Sequence, residues 1–358
     1  MNNQKRMTLN EIAINRLINQ QISNPKLKTP QEVLEWMGAI QAQDYAMSKL
    51  AIGIRLPNNA FDKQIEDDLN NGKIIRTHLL RPTWHLVSAD DVRWMMQLSA
   101  PNLNKSVASM NRSLGLDETV LKKSNSLIRK LLEKNEILTR EEIMNELNKK
   151  GIATNDLRAS HIMFRAETEM IVCNGERVGK QLTYALFDRK VPAAKPLQND
   201  EALARLAEKY IQSRSPVTIK DFVWWSGLNV SDAKKAFEMV KSKFISSIIE
   251  NEEYWTNETD NLKTNKDNSV YFLPAFDELI ISYKDRTATI EAENQAKAFT
   301  KNGTFYPTII YNGKVIGTWK KVSKGNETEI FPSFFSSLTE SQKKKYKTAE
   351  TKLKLFYE

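Results

Sequence analysis

Apolar and polar positions alternate in two periods along the chain, and the changes between them mark its elements. Over the first forty or so positions the period is helical. Thr8-x-x-Glu11 opens a helix to about Gln20, and Thr29-Pro30-Gln31-Glu32 opens another to about Met37. A threonine hydroxyl at the cap accepts an amide hydrogen that the first turn leaves unbonded, and proline at the next position has no amide hydrogen to satisfy. Gly38 permits the second helix to end or bend. A short helix is expected over residues 61–70, closed by the turn pair Asn71-Gly72. Residues 73–87 change to strand texture. Ile74, Ile75, Thr77, Thr83, Trp84 and Val87 favour strands and Leu80-Arg81-Pro82 supplies a turn, which predicts a hairpin. Ser88-x-x-Asp91 then opens another helix.

Helices followed by a two-stranded hairpin are the order of a winged helix, and that order recurs. A second copy has helices over residues 125–133, from the capping box at Thr139 to Glu142, and over 154–170, then a hairpin with Asn174-Gly175 as its turn. A linker over 191–199 carries Pro192 and Pro196. A third copy follows, with helices over 200–213, 218–226 and 231–242 and strands over 244–249 and 254–256. From residue 269 the texture is strand, over 270–273, 278–283, 306–311 and 314–319, with Asn312-Gly313 a type I′ hairpin signal between the last two. The basic carboxy-terminal stretch reads as a final helix. These elements make an α+β chain with divisions at residues 1–115, 116–190, 191–260 and 261–358.

Composition narrows the chemistry. The chain has 358 residues, Lys+Arg 53 against Asp+Glu 44, a formal charge of +9 and 41% hydrophobic residues, as folded proteins do. The single cysteine, Cys173, excludes a disulfide framework and cysteine-rich metal sites. His78, His85 and His161 are the only histidines, too few for a histidine-rich metal centre. No segment approaches the roughly 18 consecutive apolar residues of a membrane span. The polar, basic residues 1–6 precede an amphipathic pattern rather than a signal peptide, so a soluble protein of a reducing cytoplasm is expected. Gly175-x-x-x-Gly179-Lys180-Gln181 misses the phosphate-loop spacing, and HExxH, GxSxG and zinc-deaminase signatures are absent. Neither cofactor nor metal is expected. The basic surplus makes a polyanion one candidate partner.

Three groups of residues could carry function. Arg158, His161 and Arg165 share a face of the third helix of the second copy, while Leu157, Ile162, Met163 and Ala166 point toward a core. That face reads equally as a DNA reader or as a solvated face, diluted by Asp156, Glu167 and Glu169. On the first hairpin Arg76 and His78 share a face, and Arg76 and Arg81 beside Pro82 suit phosphate contact or minor-groove insertion. The plainer alternative is an ordinary wing with Trp84 in the core and His85 a satisfied, partly buried histidine. Gln41-Ala42-Gln43 is bland in isolation. An amide does not titrate and makes a poor general base, but its carbonyl oxygen can hold and orient a water.

The helix leading into Gly38-Ala39-Ile40-Gln41-Ala42-Gln43-Asp44 resembles the QxQ element of the AlkZ/YcaQ-type DNA glycosylases. Residues 76–87, Leu273-Pro274-Ala275-Phe276-Asp277-Glu278, Asp285-Arg286 and residues 307–319 extend the resemblance in the family's order over nearly the whole chain. It implies three tandem winged helices and a C-terminal β-barrel-like domain forming a C-shaped DNA cleft. It implies excision of N-alkylated purines from double-stranded DNA, bulky adducts and interstrand crosslinks included. Separately, a monomer in the cytoplasm, at the nucleoid, is expected. The resemblance makes Gln41 and Gln43 the water-handling pair. A second branch of the family has aspartate at the latter position, so Gln43 sides this chain with the QxQ branch. Arg76, Arg81, Arg158, Arg165, Arg286 and Lys320 are candidate phosphate or groove contacts. The chemistry is consistent: alkylation at N7 makes the purine a cationic leaving group, so an oriented water suffices where most glycosidases need carboxylates. A winged-helix regulator without catalysis, or an interaction scaffold without DNA affinity, are the alternative readings.

Overall fold

The computed structural model describes residues 7–57, 61–257, 267–324 and 327–357. The chain divides into two compact units, one formed by residues 1–65, 203–225 and 229–358, the other by residues 66–202 and 226–228.

In the first unit the sequence capping signals act as read. Thr8 and Glu11 form a capping box on the helix Leu9–Asn19, and the Thr29 side chain caps Pro30–Met37. Gly38 ends the latter at φ +73°, where a side chain would be strained. The two-residue strand Ile40–Gln41 follows, and the Asp44 carboxylate caps the helix Tyr45–Gly53. The third helix–hairpin copy has helices Asn199–Arg214, Ile219–Ser226 and Val230–Val240, then the antiparallel pair Phe244–Ile249 and Glu252–Asn257. Ile14, Leu17, Leu273, Ile280, Ile310 and Val315 form a core that joins the amino-terminal helix to the last sheet.

That sheet corrects the expectation of a β-barrel. It has four antiparallel strands in the order Glu327–Phe334, Lys314–Lys324, Thr308–Tyr311, Val270–Leu273, and among the described residues the two outer strands do not pair. A barrel needs its edges hydrogen-bonded to each other. Here the inner short strand pairs with only the first part of Lys314–Lys324, and the rest of that strand pairs with Glu327–Phe334 alone. Asn312 and Gly313 take φ +48° and +77°, the two left-handed positions of the expected turn. The strand expected over 278–283 is instead a short helix, Glu278–Ile281, capped by Asp277, whose side chain accepts the Leu279 amide hydrogen.

The second unit opens on the first hairpin, Ile74–Leu79 against Thr83–Ser88. The helix Ala89–Ser113 follows, then Glu118–Lys134, Arg140–Lys149 and Arg158–Thr168, and a three-stranded sheet in which Thr183–Leu186 lies between Leu138–Thr139 and Val172–Asn174. Leu121, Ile128, Leu132, Ile143, Leu147 and Ile162 are its core. Asn174-Gly175 is not a two-residue turn, because residues 175–182 separate the strands. Gly175 is needed for another reason: a Cβ there would lie 2.3 Å from the Thr183 hydroxyl. Leu157, expected in the core, is exposed, whereas Glu167, expected on the solvated face, is buried.

Glu167 explains itself by its partner. Its carboxylate accepts the His78 amide hydrogen at 2.9 Å and lies 2.7 Å from His78 Nδ1. Burial works to raise its pKa, but the charge and hydrogen bonds of His78 prevail and hold it below the ordinary 4.5. A depressed carboxyl contributes stability above its unfolded pKa and loses it as pH falls through the folded value. Urea melts at descending pH are therefore expected to lose more stability below pH 4.5 in the wild type than in Glu167→Gln. Gly227 gives a second test. At φ +70°, a Cβ there would meet the Leu80 carbonyl oxygen at 2.6 Å. Gly227→Ala is expected to cost about 1–3 kcal/mol in urea unfolding. Among the described residues no helix is long and apolar enough to cross a membrane.

Candidate active site

The glutamine pair sits where the chain leaves the helix Pro30–Met37. Gln41 is 9% exposed, Ala42 is fully buried and Gln43 is exposed. The main chain leading to them is held by an ion pair whose two members are both fully buried, Arg214 and Glu278, at 2.9 Å. Arg214 donates to the carbonyls of Met37 at 2.7 Å and Ala39 at 3.0 Å. Glu278 Oε1 accepts the Gln41 amide hydrogen at 2.8 Å. Its Oε2 accepts from Arg214, from the Trp225 indole at 3.0 Å and from the Ser282 hydroxyl at 2.5 Å. One carboxylate and one guanidinium thus fix successive polar groups of residues 37–41.

The surroundings brace that pair. The Arg214 guanidinium stacks 4.3 Å from the Trp225 ring centroid. The Tyr283 hydroxyl donates to the Arg214 carbonyl at 2.9 Å, and burial pushes its pKa up to about 12, so it stays a neutral donor. Next in sequence to Glu278, Asp277 binds both terminal nitrogens of the buried Arg55, at 2.8 and 3.0 Å. Arg16 lies 3.6 Å from Asp221 and 3.6 Å from the Tyr283 centroid. Charge at these depths persists only when paired and hydrogen-bonded, as here.

Polar groups continue past Gln43. Asp44 and Asp62 both act on Lys321, whose pKa burial lowers while those two carboxylates raise it. The Lys321 ammonium lies 3.7 Å from the Tyr357 ring centroid, and Lys49 pairs with Asp62 at 2.8 Å. The long hairpin strand Lys314–Lys324 therefore comes within electrostatic reach of the QxQ element, with Lys320 exposed beside Lys321.

The basic candidates divide between the units. Arg286 and Lys320 belong with the glutamines; Arg76, Arg81, Arg158 and Arg165 belong to the other unit. Arg286 is half-buried and donates to the Ile280 and Lys284 carbonyls, with Trp224, Phe299 and Phe305 each 5.2 Å away. Arg76 is half-buried over the Trp84 ring at 4.6 Å, and Arg81 is half-buried at the hairpin turn. Arg158 donates to the Ala153 carbonyl at 2.7 Å and to the Leu114 carbonyl. Arg165 is bound by Glu118 at 2.9 Å and Glu169 at 2.5 Å. In this conformation both guanidiniums are directed at protein oxygens. His161 Nδ1 faces the Asn111 side chain at 2.6 Å, and His85 is buried with Nδ1 2.9 Å from the Thr83 carbonyl.

Asp277 and Glu278 enter the sequence reading only as part of the motif Leu273–Glu278, with no role assigned to either, and Arg214 does not enter it. The signal was present: two adjacent carboxylates sit inside the otherwise apolar run LPAFDELII, where a charge must find a buried partner.

The AlkZ-like family model, described as DNA glycosylase AlkZ-like, matches residues 34–354, from the helix before the QxQ element to the last helix. The chain belongs to the AlkZ-like family. Among solved structures it is similar to Streptomyces sahachiroi DNA glycosylase AlkZ, with a TM-score of 0.82 over 98% of this chain and 97% of that one, at 18% sequence identity. That likeness is one of fold. No curated protein sequence matches the chain. Membership in the AlkZ-like family brings a winged-helix DNA-glycosylase fold, DNA as partner and DNA-repair activity at the level of the family.

Proposed function

We propose that the chain is a monofunctional DNA glycosylase of the QxQ branch, hydrolysing the N-glycosidic bond of N7-alkylated purines in double-stranded DNA. Gln41 and Gln43 hold the attacking water. N7 alkylation has already placed the positive charge on the base. The C1′–N9 bond breaks with its electron pair passing to the purine, the water oxygen adds to C1′, and its proton passes to solvent. The enzyme supplies orientation and polar stabilisation of the cationic sugar. A purine tied through N7 to the opposite strand departs by the same step, so interstrand crosslinks fall within the substrate class.

The observation that carries this reading is the clamp on the glutamine segment. The Glu278 carboxylate holds the Gln41 main chain while Gln43 stays exposed two positions on. A water can be aimed only by groups that are themselves fixed. Exposed Lys320 and the hairpin-turn Arg81 are assigned to phosphate contact. The test is incubation with N7-methylated duplex DNA, then alkali to break abasic sites. Strand breaks are expected, and intact strands would leave a DNA-binding protein without catalysis. Borohydride added during turnover is expected to trap no protein–DNA adduct, since water and not an amine attacks; a trapped band would contradict the water mechanism.

A further inference from the structure

The second unit contains a chemical cluster that the glutamine chemistry does not use. A cavity of about 170 Å³ is walled by the rings of Trp84, Phe164 and Tyr184 and edged by Arg140 and Ser160, with His78 on its wall. His78 is nine-tenths buried, and its orientation is set from behind, where Nδ1 lies 2.7 Å from the buried Glu167 carboxylate. With Nδ1 so engaged, Nε2 is the ring atom left for the cavity, and among the described residues nothing bonds it. The ring is packed 4.4 Å from Trp84 and 4.8 Å from Phe164, centroid to centroid, so it cannot swing away. The Tyr184 hydroxyl likewise makes no hydrogen bond among the described residues, whereas Arg140 donates to the Ser160 hydroxyl at 2.8 Å.

A carboxylate-oriented imidazole in an aromatic cavity, with polar atoms left unbonded, is the arrangement of a small-molecule site. Its size limits the guest. A cavity of roughly 150 Å³ accepts a benzene-sized ring and is far below the several hundred Å³ of drug-sized sites. The aromatic walls favour a flat ring, and the unbonded His78 nitrogen and Tyr184 hydroxyl favour one with hydrogen-bonding atoms on its edge. We infer that this cavity binds a six-membered heteroaromatic ring of the pyrimidine-base class, edge-on to His78 Nε2. The base could arrive free or as an unpaired nucleotide in DNA, and the test separates the two.

The chain's three histidines make their ring signals assignable by substitution. Imidazole nitrogen resonances of the full-length protein would be followed while free cytosine is added. A second arm adds a duplex carrying cytosine opposite an abasic site. The His78 Nε2 signal is expected to shift saturably in at least one arm, with His85 unmoved. A response to the free base marks a free-base site, and one to the duplex alone marks a DNA-borne base. Tyr184→Phe leaves the His78–Glu167 pair intact and is expected to weaken the response about fivefold. Toluene, which fills the cavity without an edge to bond, is expected to bind more weakly than cytosine. An unmoved His78 signal in both arms up to millimolar concentration would overturn the inference, and so would toluene binding as well as cytosine. Neither result bears on base release at the glutamine pair.

Discussion

Gln41→Ala and Gln43→Ala combined are expected to lower the rate of 7-methylguanine release from methylated duplex DNA by about 10²–10³-fold. Binding of the same DNA should be nearly unchanged, and so should the unfolding midpoint. Gln43 is exposed, so its truncation costs little. Gln41 meets Glu278 through its main-chain amide, which alanine keeps, so the clamp survives the substitution. Each single variant should lose nearly as much activity as the double, because one amide alone holds the water in a single direction. Single-turnover rates with enzyme in excess would separate this loss from any change in affinity. Independent, multiplying effects of the two substitutions would show that the glutamines do not act as a pair.

Glu278→Ala is expected to cost about 3–5 kcal/mol of stability. It strands the buried Arg214 guanidinium and leaves the Gln41 amide hydrogen and the Trp225 indole without their acceptor. A companion variant separates stability from positioning. Arg214→Met with Glu278→Met removes both charges together and should recover much of that loss, since no unpaired charge remains. Base release should stay depressed in this double variant, because residues 37–41 have lost their ties, while DNA affinity is retained. Urea unfolding and single-turnover rates on the same preparations check both statements. Recovery of activity together with stability would reduce the ion pair to a scaffold.

How much of this was legible depended on how local each cause was. Thr8, Thr29 and Thr139 act within one helical turn and cap the helices they were read to cap. Asn312-Gly313 likewise acts within two residues and makes its turn. The barrel was an expectation about strands far apart in sequence, and nothing local dictates whether outer strands meet. Ile280 and Ile281 read as strand because a short apolar run has no period to distinguish it, and the Asp277 cap decides for helix. Glu167 read as solvated because its helix face is covered by a hairpin 89 residues earlier in the chain. The glutamines themselves are bland by composition and spacing; only the family resemblance drew attention to them. Their support, Arg214 with Glu278, joins positions 64 apart; Glu278 stands out as a charge in an apolar run and as part of a family motif, but nothing local points to Arg214 as its partner.

The most direct measurement is chromatography of the bases freed from N7-methylguanine duplex DNA by the wild-type protein and by the Gln41→Ala, Gln43→Ala variant. 7-Methylguanine is expected in the soluble fraction from the wild type, released about 10²–10³-fold more slowly by the double variant. Release by the double variant at the wild-type rate, or none from a folded wild type that binds the same DNA, would contradict this expectation.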